Sequence, residues 1–166
     1  MSNSKKNKET IIDIYLNYTK KYRDIYGKKC VVLLESGHFM EMYDYVDTSD
    51  HMIVARDILG IIITRRDKSD NSSPFMAGIP TIAIRRYYKT LLKNNYTVIC
   101  VTQVTPPPNV TRDVTKILSP GCNLSEDIYY NPDHGSSIIC GLSIEIDEDD
   151  DYFIYLAKKN HRLKRW

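Results

Sequence analysis

The sequence lacks the long hydrophobic runs that mark membrane and secreted proteins. No apolar run among its 166 residues approaches the roughly 20 residues that a membrane-spanning helix needs. The first ten residues, MSNSKKNKET, contain no hydrophobic stretch of the kind found in a signal peptide. We therefore expect a soluble, intracellular protein with no membrane partner.

The sequence also lacks the short motifs of common catalytic and metal sites. It has four widely spaced cysteines and no CxxC pair, which predicts buried free thiols rather than a zinc or redox site. No GxxxxGK[ST] phosphate loop, GxSxG elbow or HExxH motif is present. The four histidines are scattered and are interpreted as surface or packing residues, and the acidic run DEDDD at 147–151 as a solvated turn. The sequence therefore gives no positive evidence for a metal site or for enzymatic activity.

Charge is distributed unevenly along the chain. Residues 1–120 hold 18 Lys and Arg against 12 Asp and Glu, a net charge of +6, whereas residues 121–166 hold 5 against 9, a net charge of −4. A polyanionic partner would therefore meet the first part of the chain. A basic half is also common in proteins that bind no DNA, so the asymmetry alone gives weak support.

Hydrophobic periodicity predicts alternating helices and strands through the first 120 residues. Apolar and aromatic residues spaced by four and three predict a first helix that buries one face: Ile11, Tyr15, Tyr18, Tyr22 and Ile25. Later helices are predicted at 50–59 and at 82–94, the second capped by Thr81. Runs rich in β-branched and aromatic residues predict strands: CVVLL (30–34), HFMEMYDY (38–45), GIIITRR (60–66), YTVICVTQV (96–104) and RDVTKIL (112–118). Gly37 is predicted to be a bulge or bend.

Composition predicts one complete domain and part of a second. A polar tail at 1–9 precedes a globular domain at 10–123, and a loop-rich linker at 124–135 follows it. Residues 136–166 predict two strands joined by the acidic turn. Because an isolated hairpin is marginally stable in water, we interpret this segment as the start of an incomplete second domain.

Phe39 and Glu41 form the most unusual pair in the chain. On a strand, residues two apart share a face, so Phe39, Glu41 and Tyr43 lie on one side while Met40 and Met42 pack on the other. Pattern alone favours a buried Phe39 and an ordinary edge charge at Glu41. The functional alternative is an aromatic wedge, presented together with a carboxylate, that tests whether a DNA base step is easily unstacked.

Five segments, taken in order, resemble the mismatch-recognition domain of the MutS family of DNA mismatch repair proteins. They are GHFMEMY (37–43), ILGIIITRR (58–66), PFMAGIPTIAIRRYYKTLL (74–92), YTVICVTQVTPPP (96–108) and RDVTKILSPGCN (112–123). The segment NNYTVICVTQVTPPPN (94–109) looks most like the branch of the family found in large DNA viruses and some mitochondria. The resemblance implies an α/β (α+β) fold with a mixed β-sheet flanked by helices, MAGIP as a turn, and a first hairpin of a ribonuclease H-like connector domain after residue 136.

The resemblance also implies a DNA-binding site. Phe39 would stack on the mispaired base and Glu41 would hydrogen-bond to it. Further contacts to the DNA backbone and minor groove are implied for six residues: Arg65, Arg66, Lys68, Met76, Ala77 and Gly78. The two arginines are equally compatible with a solvated strand end.

Three positions depart from the family pattern. Met40 stands where the family commonly has an aromatic residue, and Cys122 replaces the usual threonine of the closing turn. Glu35 adds a negative charge where a neutral or basic residue is more common, so we expect it to weaken DNA affinity.

The implied partners are double-stranded DNA with a mismatch or small loop, the remaining MutS domains and a second MutS subunit. ATP and Mg act in the ATPase domain of full-length relatives, so we expect no cofactor and no enzymatic activity in this chain. Two alternatives remain open. The first is a truncated or stand-alone relative that keeps the fold but binds a protein partner and does not read mismatches. The second is a nuclease, which would need converging carboxylates that this segment does not supply.

Overall fold

A computed structural model describes residues 9–120 in full and the backbone of two further strands at 138–146 and 152–160. The chain divides into two compact units, Met1–Pro120 and Gly121–Trp166. The first contains a six-stranded mixed sheet with helices packed on it, and the second contains a two-stranded sheet. The predicted α+β class with a mixed, helix-flanked sheet is confirmed.

The helices in the described residues are α1 (Ile11–Tyr26), α2 (Asp50–Ile53), which continues as a π-helical turn (Val54–Ile58), and α3 (Ile84–Lys93), which follows a 3-10 turn (Thr81–Ala83). The strands are β1 (Cys30–Ser36), β2 (Phe39–Asp44), β3 (Thr64–Arg65), β4 (Phe75–Pro80), β5 (Thr97–Gln103), β6 (Arg112–Leu118), β7 (Ile138–Ile146) and β8 (Tyr152–Asn160). The large sheet has the order β3-β4-β2-β1-β5-β6, in which β1 and β5 are parallel and every other pair is antiparallel.

The first helix has well-defined ends. Thr10 and Asp13 form a capping box, because the Asp13 N–H donates to Thr10 Oγ1 at 3.2 Å and the Thr10 N–H donates to Asp13 Oδ2 at 2.9 Å. Gly27 ends the helix with a φ of +77°, and its N–H donates to the carbonyl of Arg23. The stop predicted at Gly27 is confirmed.

The buried face of α1 differs from the predicted one. Ile12, Tyr15 and Thr19 are its buried residues, so only Tyr15 is shared with the predicted set, and Ile25 is 59% exposed. The remaining tyrosines pack against each other along the helix instead, as near-parallel rings with centroids 6.3 Å apart: Tyr18, Tyr22 and Tyr26. The spacing of large apolar residues therefore predicted the wrong face of α1, because the small polar residue Thr19 is buried against the core.

Strands β1 and β5 form the centre of the core. Residues 30–34 are all buried, which confirms the prediction of a strand covered on both faces. On one face, the ring of Tyr15 from α1 packs edge-on against Tyr43 of β2, with centroids 5.6 Å apart. On the other face, Tyr88 of α3 lies against Cys100 of β5, whose thiol donates to the Tyr88 hydroxyl at 3.2 Å.

Two predictions of irregular structure are corrected. Gly37 is neither a bulge nor a bend within one strand but the first residue of the two-residue turn between β1 and β2. Its φ of +59° suits glycine, which has no Cβ to clash in the left-handed region. MAGIP is not a turn: Phe75–Pro80 is strand β4, which pairs with β2 along its whole length.

The segment GIIITRR was predicted as a full strand but pairs only at Thr64–Arg65. Its first part completes the preceding helix, since the Ile61 N–H donates to the carbonyl of Ala55 at 2.9 Å. Ile62 is 83% exposed. A β-branched run therefore did not form a strand here, because its backbone found hydrogen-bond partners elsewhere.

The helix predicted at 82–94 begins as a 3-10 turn, and the α-helical part covers Ile84–Lys93. Thr81 lies inside the 3-10 turn, whose preceding residue, Pro80, makes no side-chain cap, so the predicted cap is wrong. The predicted short helix after Ser49 is confirmed, with Ser49 as its N-cap.

The remaining strands agree with prediction. β5 lies within the predicted 96–104, β6 coincides with RDVTKIL, and β7 and β8 form the predicted antiparallel pair. The predicted linker at 124–135 and all of the predicted tail except Glu9 lie outside the described residues. None of the helices in the described part of the chain is long and apolar enough to cross a membrane.

Candidate functional site

Strands β2 and β4 bring together most of the residues predicted to form a site. In their antiparallel register Glu41 lies opposite Gly78, and Tyr43 lies opposite Met76. Because directly opposed residues share a face, one face of this strand pair carries these four residues together with Phe39. We call this set of five the β2–β4 face.

Phe39 is exposed at the start of β2. Its side chain is 45% exposed, whereas the next residue, Met40, is 3% exposed on the opposite face. A Cβ at Gly78 would lie 3.5 Å from Phe39 Cδ1, so the ring lies beside the bare backbone of β4. The burial of Phe39 that pattern alone favoured is therefore wrong, and the neighbouring methionines anchor the strand as predicted.

Glu41 is buried rather than presented to solvent beside Phe39. The residue is 8% exposed, and its Oε2 accepts a hydrogen bond from the Tyr43 hydroxyl. Burial of the phenol, and then the adjacent Glu41 carboxylate, raise the pKa of Tyr43, so this hydroxyl stays protonated and donates. The expectation of an openly displayed carboxylate is corrected, because Glu41 is buried and bonded to Tyr43 on the same face of the strand.

The two predicted arginines have different environments. The Arg65 guanidinium donates to the carbonyl of Ser73 at 2.8 Å and stacks 4.2 Å from the centre of the Phe75 ring. It therefore closes the loop between β3 and β4. Arg66 is exposed, with its guanidinium carbon 5.9 Å from the centre of the Tyr43 ring, so its charge lies next to the β2–β4 face. Lys68 is exposed in the same loop.

The residues predicted on β4 divide between the two faces of the sheet. Met76 and Gly78 are partly exposed on the β2–β4 face. Ala77 pairs with Met42 and is 1% exposed on the opposite face, among core side chains. The structure therefore leaves Ala77 almost no side-chain surface for a ligand.

Glu35 is tied into the sheet, although its charge was expected to oppose DNA binding. Its Oε2 accepts a hydrogen bond from the Gln103 N–H at 2.8 Å. Its backbone carbonyl accepts another from Arg112 Nε at 3.1 Å. The carboxylate has a structural role at the ends of β1 and β5, and its effect on DNA affinity stays a prediction.

Tyr43 is the residue of this face to which the sequence interpretation gave no role. It is 1% exposed and contacts both the Glu41 carboxylate and the ring of Tyr15. The period-two spacing of Glu41 and Tyr43 placed them on one face and was the available signal. Within the described residues, no cluster of three or more potential metal ligands is present.

Comparisons with known proteins agree with this architecture. A family model for MutS domain I matches residues 12–127. The DNA mismatch repair protein MutS of Thermodesulfovibrio yellowstonii is 30% identical over 154 residues, which cover 88% of this chain and 17% of that protein. The protein of the same name from Rickettsia akari is 33% identical over 109 residues, or 60% of this chain and 12% of that protein. The chain thus spans less than a fifth of the length of these bacterial relatives.

Proposed function

Because the chain belongs to the MutS family and carries its domain I, we propose that it is a mismatched-DNA-binding module in which Phe39 wedges at the mispaired base and Glu41 hydrogen-bonds to it. The observation that carries this proposal is the exposed ring of Phe39 at the tip of an otherwise buried strand. The proposed partners are duplex DNA with a mismatch or small loop, the other MutS domains and a second MutS subunit.

The position of Phe39 suits a wedge. An apolar side chain inserted at a base step partly unstacks it and kinks the duplex, at a cost of a few kcal/mol. That cost is lowest where pairing is already defective. Because Met40 and Met42 fix the strand from the opposite face, the force of insertion would be borne by the core and not by a mobile loop.

Glu41 adds selectivity because its carboxylate lies behind the exposed ring. A carboxylate repels phosphates and is reached only by a base displaced from its pair. Intact pairing would offer it no free donor, so Glu41 favours deformable sites over sound duplex. Exposed Arg66 and Lys68 would contact phosphates nearby, and these few contacts predict weak, salt-sensitive binding by the 166-residue chain alone.

The test is a binding series with Phe39→Ala and Glu41→Ala in a full-length MutS protein carrying this domain. Affinities are measured for G·T-mismatched, single-base-loop and perfect duplexes at several salt concentrations. Phe39→Ala should lower the preference for mismatched over perfect duplex by about fivefold or more, since stacking a base on an aromatic ring contributes about 1–3 kcal/mol. Glu41→Ala should lower the same ratio.

Ile117→Ala is the matched control for loss of exposed apolar surface. Ile117 is 42% exposed, close to the value for Phe39, but lies on β6 at the far edge of the sheet. Its substitution should leave the ratio unchanged. An unchanged ratio in Phe39→Ala would show that the wedge assignment is wrong.

A protein-interaction role is the second candidate, and a neighbouring apolar residue favours it. Ile82 is 96% exposed in the turn after β4, and this turn is joined to the β1–β2 turn by a hydrogen bond from the Thr81 N–H to the His38 carbonyl. Two exposed apolar side chains, Phe39 and Ile82, would suit a protein partner. This role would be supported if DNA affinity were independent of Phe39 at every salt concentration.

A further inference from the structure

We propose that Tyr43 is a positioning residue for mismatch reading: its hydroxyl holds one oxygen of the Glu41 carboxylate so that the other oxygen faces the displaced base. This inference rests on the function proposed for Glu41. It assigns the two oxygens different tasks. Oε2 accepts from Tyr43, whereas Oε1 accepts no hydrogen bond from any residue in the described part of the chain.

Tyr43 is itself firmly held. It is 1% exposed, and its ring packs edge-on against the fully buried ring of Tyr15, a residue of α1. On the outer side the Arg66 guanidinium carbon lies 5.9 Å from the Tyr43 ring centre. Close packing of this kind restricts the ring, so its hydroxyl offers a defined point against which the carboxylate is aligned.

Glu41 needs such a fixed point. A glutamate side chain has three rotatable bonds and loses much conformational freedom when it is ordered. If that loss occurs in the free protein, it does not count against binding when the base arrives. The hydroxyl also offsets the cost of burying the carboxylate, which is only 8% exposed.

The arrangement sets the chemistry of the ligand. Oε2 of Glu41 accepts from the Tyr43 hydroxyl, and in a carboxylate the remaining oxygen, Oε1, offers lone pairs to a ligand. The matching group is an N–H on a base that has lost its Watson–Crick partner. A base paired in sound duplex keeps that N–H engaged and is not bound.

The test compares Tyr43→Phe, Glu41→Ala and the double variant in a full-length MutS protein carrying this domain. Tyr43→Phe should lower the ratio of mismatched to perfect duplex affinity by about three- to tenfold, the range expected for one hydrogen bond. In the Glu41→Ala background the same substitution should have no further effect on the ratio. Tyr88→Phe, which removes a buried hydroxyl on the opposite face of the sheet, should leave the ratio unchanged.

A spectroscopic measurement separates positioning from folding. The carboxyl carbon resonance of Glu41 in the free 166-residue chain should shift in Tyr43→Phe and not in Tyr88→Phe. The inference is overturned if this resonance does not move, if Tyr43→Phe weakens all duplexes equally, or if its effect persists in the Glu41→Ala background. If Glu41→Ala leaves the ratio of mismatched to perfect duplex affinity unchanged, the function proposed for Glu41 is wrong. If Glu41→Ala lowers that ratio but Tyr43→Phe does not, only the positioning role of Tyr43 is wrong.

Discussion

At the scale of single residues, Gly78 sets how closely β4 can approach the side chain of Phe39. A Cβ there would lie 3.5 Å from Phe39 Cδ1 and 3.8 Å from Glu41 Cγ, which are ordinary van der Waals contacts. Gly78→Ala should therefore change the free energy of unfolding by no more than about 0.5 kcal/mol. Urea denaturation measures this directly.

Gly78→Val should behave differently, because its methyl groups extend beyond the Cβ into the space of Phe39 and Glu41. Overpacking of this kind costs about 1–3 kcal/mol and would displace the ring. We expect a lower mismatch preference in Gly78→Val than in Gly78→Ala when both are measured in the same binding series. Equal mismatch preferences in the two variants would show that the position of Phe39 beside β4 does not affect mismatch binding.

The pairing of Phe39 with Glu41 could be predicted from the sequence, whereas their exposures could not. Period-two alternation fixes which residues share a face of a strand. It does not reveal what covers that face, and here Glu41 is buried and bonded to the Tyr43 hydroxyl, whereas Phe39 is 45% exposed. Exposure depends on neighbours that are distant in sequence, such as Tyr15 of α1.

At the scale of elements, His51 makes the packing of α2 sensitive to pH. The residue is 4% exposed, and its Nδ1 has no hydrogen-bond partner among the residues that the structure describes. Burial, and then the charge of Arg23, lower the pKa of His51 to about 4, although Asp44 and Asp50 act in the opposite direction. The folded protein therefore holds a neutral imidazole at neutral pH.

Stability should fall as pH is lowered from about 6.5 towards 4. In that window the unfolded chain binds a proton at His51 that the folded chain does not, and the loss reaches at most about 3 kcal/mol. His51→Leu should flatten this part of the curve, and His38→Gln, at an exposed turn position, should not. Urea denaturation at pH 7, 5.5 and 4.5 measures the difference, and equal slopes in His51→Leu and wild type would contradict it.

Elements were predictable where pattern and tertiary contacts agree. The apolar runs of β1 and β5 are buried on both faces, so composition and environment point to the same structure. The strand predicted for GIIITRR was wrong because the Ile61 N–H bonds to the preceding helix. The turn predicted for MAGIP was wrong because its glycine and proline are typical of turns, although the segment is a paired strand. A hydrogen bond to the adjoining helical turn decided the first case, and pairing with the distant strand β2 decided the second.

At the scale of the whole molecule, the net charge of +6 on residues 1–120 would support the proposed weak binding of duplex DNA. We expect the 166-residue chain to bind DNA weakly, in a salt-sensitive manner and with little preference for mismatches at physiological salt. Arg66→Ala should reduce the slope of log affinity against log salt by about one, the value for one lost phosphate contact.

Arg65→Ala is the matched comparison for Arg66→Ala. Because Arg65 is bonded to the Ser73 carbonyl and stacked on Phe75, its loss should lower the free energy of unfolding with less effect on the salt slope. Salt titrations of both variants, together with urea denaturation, make the comparison. A larger slope change for Arg65→Ala would reverse the assignment of the two residues.

The central claim is that Phe39 unstacks the duplex at a defective pair. It is tested most directly by the fluorescence of 2-aminopurine placed beside a G·T mismatch, because this base brightens when it loses its stacking neighbour. In a full-length MutS protein carrying this domain, the wild type should raise the fluorescence at saturating protein, and Phe39→Ala should not, while Ile117→Ala should match the wild type. An equal rise in Phe39→Ala and wild type would contradict the claim.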